Sequence, residues 1–153
     1  MKVRLEVDNL SMINWCIDAS HQVHDNYKRH RVGAMTFGKG AVTGIVRGQN
    51  KNAKSSTETN IMGTDNILLQ ALWTEYFIKV QGYTVEHNIL HQDNQYCMCL
   101  LINRPLSSLK RIKHIKGKVF LTKDRIDDWG AEPEYYPIKL MWINIHTKPK
   151  QES

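Results

Sequence analysis

Asp18 and Asp93 each stand at the end of a stretch that reads as a strand. Ile13-Asn14-Trp15-Cys16-Ile17-Asp18 alternates loosely between apolar and polar residues, and Asn88 to Asp93 forms a second such run. In α/β sheets, sites form at the carboxyl ends of strands. Two carboxylates brought together there repel one another unless a cation sits between them. Magnesium is the natural candidate, a hard ion that takes oxygen ligands and retains waters. Two such ions about 4 Å apart drive in-line displacement at a phosphate. The plainer reading is that each aspartate caps the element after it. On these residues alone both readings stand.

A second feature is basic. Arg104, Lys110, Arg111, Lys113, Lys116, Lys118, Lys123 and Arg125 lie close together, with Asp124 the one acid among them. A face that tracks phosphates looks like this, and so does a solvated helix surface. His30, His114 and His146 are scattered singly, and only His114 has a basic neighbourhood. Gly38-Lys39-Gly40 continuing to Gly44 lacks the spacing and the strand-to-helix context of a dinucleotide fingerprint.

These residues need elements to position them. After the first strand comes a polar stretch from His21 to Arg31, then a strand over Val32 to Phe37. Gly38-Lys39-Gly40 predicts a hairpin turn, and Ala41 to Arg47 a third strand. Ser55-x-x-Glu58 has capping-box spacing and opens a helix. Its expected inward stripe is Leu68, Leu69, Leu72, Trp73, Tyr76, Phe77 and Val80, and Gly82 stops it. Asn94 to Asn103 reads as a short helix. Lys113 to Asp127 reads as another, with Ile112, Ile115, Val119 and Ile126 inward. Glu132 to Tyr136 is a last strand closed by Pro137, and Met141 to His146 is a short terminal segment. Three antiparallel strands followed by helix-separated ones predict an α/β fold, a mixed sheet with helices packed on both faces.

The remaining arithmetic narrows the class. The 153 residues fit one domain. With 41% hydrophobic and 24% charged residues, the chain is not disordered or low-complexity as a whole. No run approaches the ~18 apolar residues of a membrane helix. Met1 to Val7 has no apolar signal region, so the expected location is intracellular, in cytoplasm or nucleus, and not secreted. Cys16, Cys97 and Cys99 form neither a disulfide framework nor a zinc knuckle, and imply free thiols in a reducing compartment. The Asn9-Leu10-Ser11 sequon should then be silent. A net charge of +6 leans weakly toward an acidic partner.

Taken together, several segments carry a resemblance. They are Trp15-Cys16-Ile17-Asp18-Ala19-Ser20 with Val23-His24, His30 through Ala41, and Lys54-Ser55-Ser56-Thr57-Glu58. Leu72-Trp73-Thr74-Glu75-Tyr76-Phe77, Gln81-Gly82-Tyr83 and Gln92-Asp93-Asn94-Gln95 follow. Lys110 to Ile115, Met141-Trp142 and Thr147-Lys148-Pro149 complete the set. In this order and spacing, over roughly residues 5–150, the chain resembles the ribonuclease H domain at the end of copia-type LTR-retrotransposon polyproteins. Residues 1–4 and 151–153 would be flanking tails. The resemblance implies a ribonuclease H-like fold with a mixed five-stranded sheet. It implies hydrolysis of the RNA strand of an RNA/DNA hybrid by two magnesium ions held on four acids. It also implies a polyprotein context with reverse transcriptase and integrase. Neither of those segments is on this chain, and Met1 falls just before the matching region, so the expectation is a fragment of an element, a decayed copy.

Carried over residue by residue, the first family acid falls on Asp18 and the third on Asp93. The second is the later glutamate of Ser-Thr-Glu-x-Glu. Here the motif is Ser56-Thr57-Glu58-Thr59-Asn60, so that position is Asn60. The fourth, three residues before Thr-Lys-Pro, is Asn144. Asparagine offers one neutral oxygen where a carboxylate offers two and a charge, so magnesium affinity and rate should fall steeply. Glu58 is the possible substitute. It sits ~200° around the helix from Asn60, which favours its capping role. The resemblance thus implies a pseudoenzyme whose ancestral activity is lost or weak. The alternatives are a non-catalytic module that binds RNA/DNA hybrid, or a remnant without function. Lys110, Arg111, Lys113, His114 and Lys116 are the expected nucleic-acid contacts.

Overall fold

The computed structural model describes residues 6–19, 29–49, 55–103 and 113–137. The first-strand expectation becomes β2, Met12–Ala19, after a two-residue β1, Glu6–Val7. Period-two alternation puts Ile13, Trp15 and Ile17 on one face of β2, and all three are essentially fully buried. Each of the two isoleucines contributes about 1.5–3 kcal/mol by leaving water. Then come β3, Arg29–Thr36, β4, Gly38–Lys39, and β5, Thr43–Gln49. Helix α1 covers Ser56–Val80, β6 His87–Gln92, and α2 Gln95–Asn103. A single 3-10 turn, Lys113–Ile115, leads into α3, Lys116–Trp129, and β7 is Glu132–Tyr135.

The sheet order is β5-β3-β2-β6-β7. The first three strands pair antiparallel, whereas β6 lies parallel to both β2 and β7. This is the expected mixed five-stranded sheet. The glycine-rich turn differs from a plain hairpin. Gly38 and Lys39 pair with Val7 and Glu6 in a small ribbon, and the first β3–β5 pair is Met35 with Thr43.

Among the described residues, the helices share one core with the Ile13, Trp15 and Ile17 face. Ile61, Ile67, Leu68 and Ala71 of α1 meet Cys97, Leu100 and Leu101 of α2 there, with Val119 and Ile126 of α3. Ile115 is buried with them as expected, while Ile112 lies outside the described residues. On the opposite face Cys16 and Ala34 pack with Ala41 and Tyr136.

The inward stripe expected on α1 is corrected. Leu68 is buried, but Leu69, Trp73, Tyr76, Phe77 and Val80 are exposed. The packed side is Ile61, Thr64, Asp65, Ile67, Leu68, Ala71 and Thr74. At ~100° per residue that side lies about 160° around the helix from the exposed aromatics. Polar Thr64, Asp65 and Thr74 mask it in the sequence. Ser55 Oγ accepts the Glu58 N–H at 3.2 Å to start the helix. Gly82, at φ +92, ends it, with the Gln81 N–H on Phe77 O and its own N–H on Lys79 O.

Candidate nucleic-acid site

Chain direction decides what meets at the carboxyl end of β2. The register pairs Ile17 with Gln92 in parallel. Asp18 and Asp93 are next in line, leaving strands whose backbones lie roughly 5 Å apart. Since β5 runs antiparallel to β3, and β3 to β2, β5 ends at this same edge. Asn88, at the opposite end of β6 from Asp93, donates to Ala71 O and Glu75 Oε2 in the second half of α1, so the first turn of α1, with Glu58 and Asn60, lies toward the two aspartates' end of the sheet.

Asp18, Glu58 and Asn60 are all buried, and Asp93 is half-buried. The capping alternative for Asp93 is resolved in part. Asn94 caps α2, its Oδ1 accepting the Cys97 N–H at 2.8 Å. Gln92 Oε1 accepts the N–H groups of Asp93 and Asn94, at 2.9 and 3.2 Å. Both N–H groups at this bend are therefore held by the one Gln92 side chain. Glu58 keeps its N–H on the Ser55 hydroxyl, the backbone half of a capping box, with its side chain enclosed.

Asn60 is the distinctive member. Its Nδ2 donates to Ser56 O at 3.0 Å. Its Oδ1 is buried and finds no partner among the described residues. A buried polar atom left so costs roughly 1–3 kcal/mol. One turn on, Thr64 Oγ1 donates to Asn60 O at 2.9 Å, and Thr64 shares a hydrogen bond with Cys97. Burial pushes the Cys97 thiol up to about 12, Thr64 pulls it down, and the negative Asp93 adds to the rise. Asn60, Thr64 and Cys97 are thus linked and buried between α1 and α2, with the half-buried Asp93 near enough for its charge to act on the thiol. Thr64 was not singled out in the sequence, and Cys97 was read there only as a free thiol. Nothing in their local pattern marks them, although Asn94-x-x-Cys97 is N-cap spacing.

Three residues of the basic run are engaged within the fold. Lys118 Nζ and Arg125 Nη1 reach the buried Asp65, at 2.7 and 2.6 Å, and Lys123 holds Asp127 at 2.6 Å. These three side chains are committed to carboxylates within the fold. Lys113 and Lys116 remain exposed, Lys116 Nζ lying 5.8 Å from the Phe120 ring centre. Lys110, Arg111 and Asn144 lie outside the described residues, as does the side chain of His114. Helix α3 runs in the same direction as α1. Asp65 meets its first turns, and Trp129 at its end lies beside Leu72 and Tyr76. Its start, with Lys113 and Lys116, is therefore toward the Asp18 and Asp93 edge. That start has no side-chain cap and no acid in its first turn. Two lysines at a helix N-terminus oppose the helix dipole, and an anion there would relieve them.

Among the described residues, no three His, Cys, Asp or Glu side chains gather as a metal cluster. The oxygens at this edge are those of two aspartates, the enclosed Glu58 and a neutral amide. The unpaired Asn60 Oδ1 is a donor of the right kind for a hard cation, but it carries no charge. Two divalent ions held on Asp18, Asp93 and Asn60 would keep four positive charges against two negative ones. The described residues do not fit a pair of magnesium ions.

No family model matches the chain. Among solved structures it is similar to the crystal structure of RNase H1 from the halophilic archaeon Halobacterium salinarum NRC-1. That match has a TM-score of 0.55 at 10% identity and covers 84% of this chain and 87% of that one. At so low an identity the likeness speaks for architecture alone. With the strand order and the parallel β2–β6–β7 half, it establishes that this chain has a ribonuclease H-like fold.

Proposed function

We propose that the chain is a ribonuclease H domain of the copia-type retrotransposon lineage that has lost two-metal hydrolysis and keeps contact with nucleic acid. The observation that carries the reading is Asn60. A neutral amide occupies the buried first turn of α1, at the edge where Asp18 and Asp93 end, and its oxygen has no partner among the described residues. A glutamate there would complete three carboxylates from three elements. Asparagine leaves the shape and removes the charge. Asn144 adds a second amide by the same motif argument.

The contact half of the proposal rests on Lys113 and Lys116. Both are exposed at the uncapped start of α3, toward the site edge. Contacts of this kind position a duplex by its phosphates and carry no base information. They suit an RNA/DNA hybrid recognised by shape and by its 2′-hydroxyl groups.

The test is cleavage of a labelled hybrid in magnesium and then manganese, with the chain beside its Asn60→Glu/Asn144→Asp variant. The expected result is cutting by the variant alone. Cutting by the unaltered chain at a comparable rate overturns the loss of hydrolysis. Hybrid affinity should fall with salt, and Lys113→Ala/Lys116→Ala should lower the salt slope by about 1 per lysine. An affinity indifferent to salt removes the contact half.

A further inference from the structure

The face of the sheet turned away from the helices holds a cleft of about 490 Å³. Alternation along β2 makes it. Met12, Asn14 and Cys16 line the cleft, while Ile13, Trp15 and Ile17 belong to the core. His91 of β6 and Glu134 of β7 continue the same face, and Asp8, between β1 and β2, lines it as well. The volume lies within the range of small-molecule sites, about 300–1,000 Å³.

Its charge runs against that of the chain. The chain carries +6, yet the described lining holds two carboxylates, Asp8 and Glu134, and no lysine or arginine. Cys16 adds no charge, since burial pushes its thiol up to about 11. Thr36 adds no spare donor. Its hydroxyl donates to Gly38 O at 2.7 Å and accepts the Gly38 N–H at 3.0 Å.

His91 narrows the chemistry further. Asn14 Oδ1 can only accept, so His91 Nε2, 3.1 Å away, donates to it. Burial lowers the His91 pKa, so at neutral pH the ring is uncharged and Nδ1 keeps a lone pair. Nδ1 is buried without a hydrogen-bond partner among the described residues, and Glu134 Oε2 stands 3.7 Å from it. Two acceptors thus face each other with no proton between them. A donor about 2.9 Å from each would satisfy both at that separation. The Glu134 side chain is 59% exposed, and an exposed side chain changes rotamer fast enough to admit such a donor. The wall beside the two acceptors is aromatic. The His91 and Tyr136 ring centres lie 4.9 Å apart, with the planes tilted by 57°.

The occupant these groups fit is flat, cationic and rich in N–H donors. An amidinium or guanidinium has this form. Its planar fork meets a carboxylate with two donors, and its face lies against a ring. An anion would meet two negative charges and no positive one. We infer that this cleft binds a small organic cation of the amidinium or guanidinium class, with its N–H fork on Glu134 and its plane in the corner between His91 and Tyr136. The cleft is separate from the proposed nucleic-acid edge. Asn14 precedes Asp18 by four residues, roughly 13 Å along an extended strand.

Calorimetric titration of the full chain with benzamidine, at low salt and neutral pH, tests the inference. Benzamide, its uncharged counterpart of the same shape, is the control. Benzamidine should bind with a Kd below about 1 mM, and benzamide about tenfold more weakly or worse. Glu134→Gln should weaken benzamidine about tenfold, and Asp8→Asn, which removes a more distant charge, about threefold. Both residues are exposed, so the variants should melt with the parent. The His91 ring signals should shift in NMR spectra as benzamidine is added. A benzamidine Kd above about 1 mM overturns the inference. So does benzamide binding as tightly as benzamidine, or benzamidine binding that Glu134→Gln leaves unchanged.

Discussion

Asp65 on α1 accepts a hydrogen bond from Arg125 on α3 at 2.6 Å, although its own side chain is almost wholly buried. Lys118 reaches the other oxygen at 2.7 Å, and Thr122 Oγ1 donates to Oδ1 at 3.3 Å. One carboxylate thus ties three turns of α3 to α1. This tie holds α3 alongside α1.

Removing Asp65 would leave two cations beside the core without a counter-charge. Breaking a fully buried pair from one side costs about 3–5 kcal/mol. Lys118 and Arg125 are 36 and 27% exposed, so water screens part of that. Asp65→Ala should cost about 2 kcal/mol, read from urea unfolding. A double-mutant cycle with Arg125→Met should show coupling of about 1 kcal/mol, since the two residues share one bond. Additive losses would show the pair to be energetically idle.

The sequence made the strands legible because period-two alternation and glycine punctuation are local signals. Ile13 to Asp18 and Asn88 to Asp93 sit within β2 and β6 or one residue beyond. Ser55 and Gly82 marked the ends of α1 by the same local chemistry. The inward face of α1 was illegible, because apolar residues occupy nearly opposite sides of its second half. Only the tertiary partners decide which side packs, the sheet face against Ile67, Leu68 and Ala71 and α3 against Asp65. The basic run was ambiguous for the same reason. A lysine that binds phosphate and one that binds a buried aspartate look alike until Lys118 and Arg125 are seen to converge on Asp65. The candidate acids were legible as strand-end residues, whereas the orphaned Asn60 oxygen is a fact of packing alone.

Gly33 of β3 is fixed by its neighbour across the core. A Cβ built there would overlap Ile67 Cδ1 and stand 2.7 Å from Cγ1. Overpacking of this kind costs about 1–3 kcal/mol, so Gly33→Ala should lower the thermal midpoint. Ile67→Ala alone should also destabilise, by opening a cavity. The double variant should recover part of the Gly33→Ala loss. A Gly33→Ala protein as stable as the parent would mean that Ile67 moves aside at little cost.

His91 gives the fold an acid sensitivity with a definite sign. Its Nε2 lies 3.1 Å from Asn14 Oδ1, which fits a neutral ring donating to that oxygen. Its Nδ1 lies 3.7 Å from a Glu134 oxygen, too long for a hydrogen bond. Burial lowers the His91 pKa below 6.5, and Glu134 opposes that only in part. The unfolded chain therefore binds the extra proton more readily. Stability is complete above about pH 6.5 and falls as pH drops through the folded-state value. His87 has the reverse sign, raised by its hydrogen bond to Glu132, but that pair is open to solvent and contributes little. Denaturant midpoints measured from neutral to mildly acidic pH should therefore decline. His91→Gln, which keeps a donor for Asn14, should flatten the decline. An unchanged profile in that variant would assign the acid sensitivity to other groups.

Asn60 allows the site to be tested without any substrate. Asn60→Glu would place a carboxylate in the buried first turn, at the edge where Asp18 and Asp93 end. Like charges at close range oppose one another, so the variant in EDTA should melt several degrees below the parent. A divalent ion bound only by the folded state restores stability in proportion to its occupancy. Millimolar magnesium should therefore raise the variant's midpoint and leave the parent's nearly unmoved. That contrast reads the geometry of the edge directly, whether or not hydrolysis returns. If magnesium leaves the variant unmoved as well, the three positions do not converge on one cation. The amide at position 60 would then not be what separates this chain from a metal-binding one.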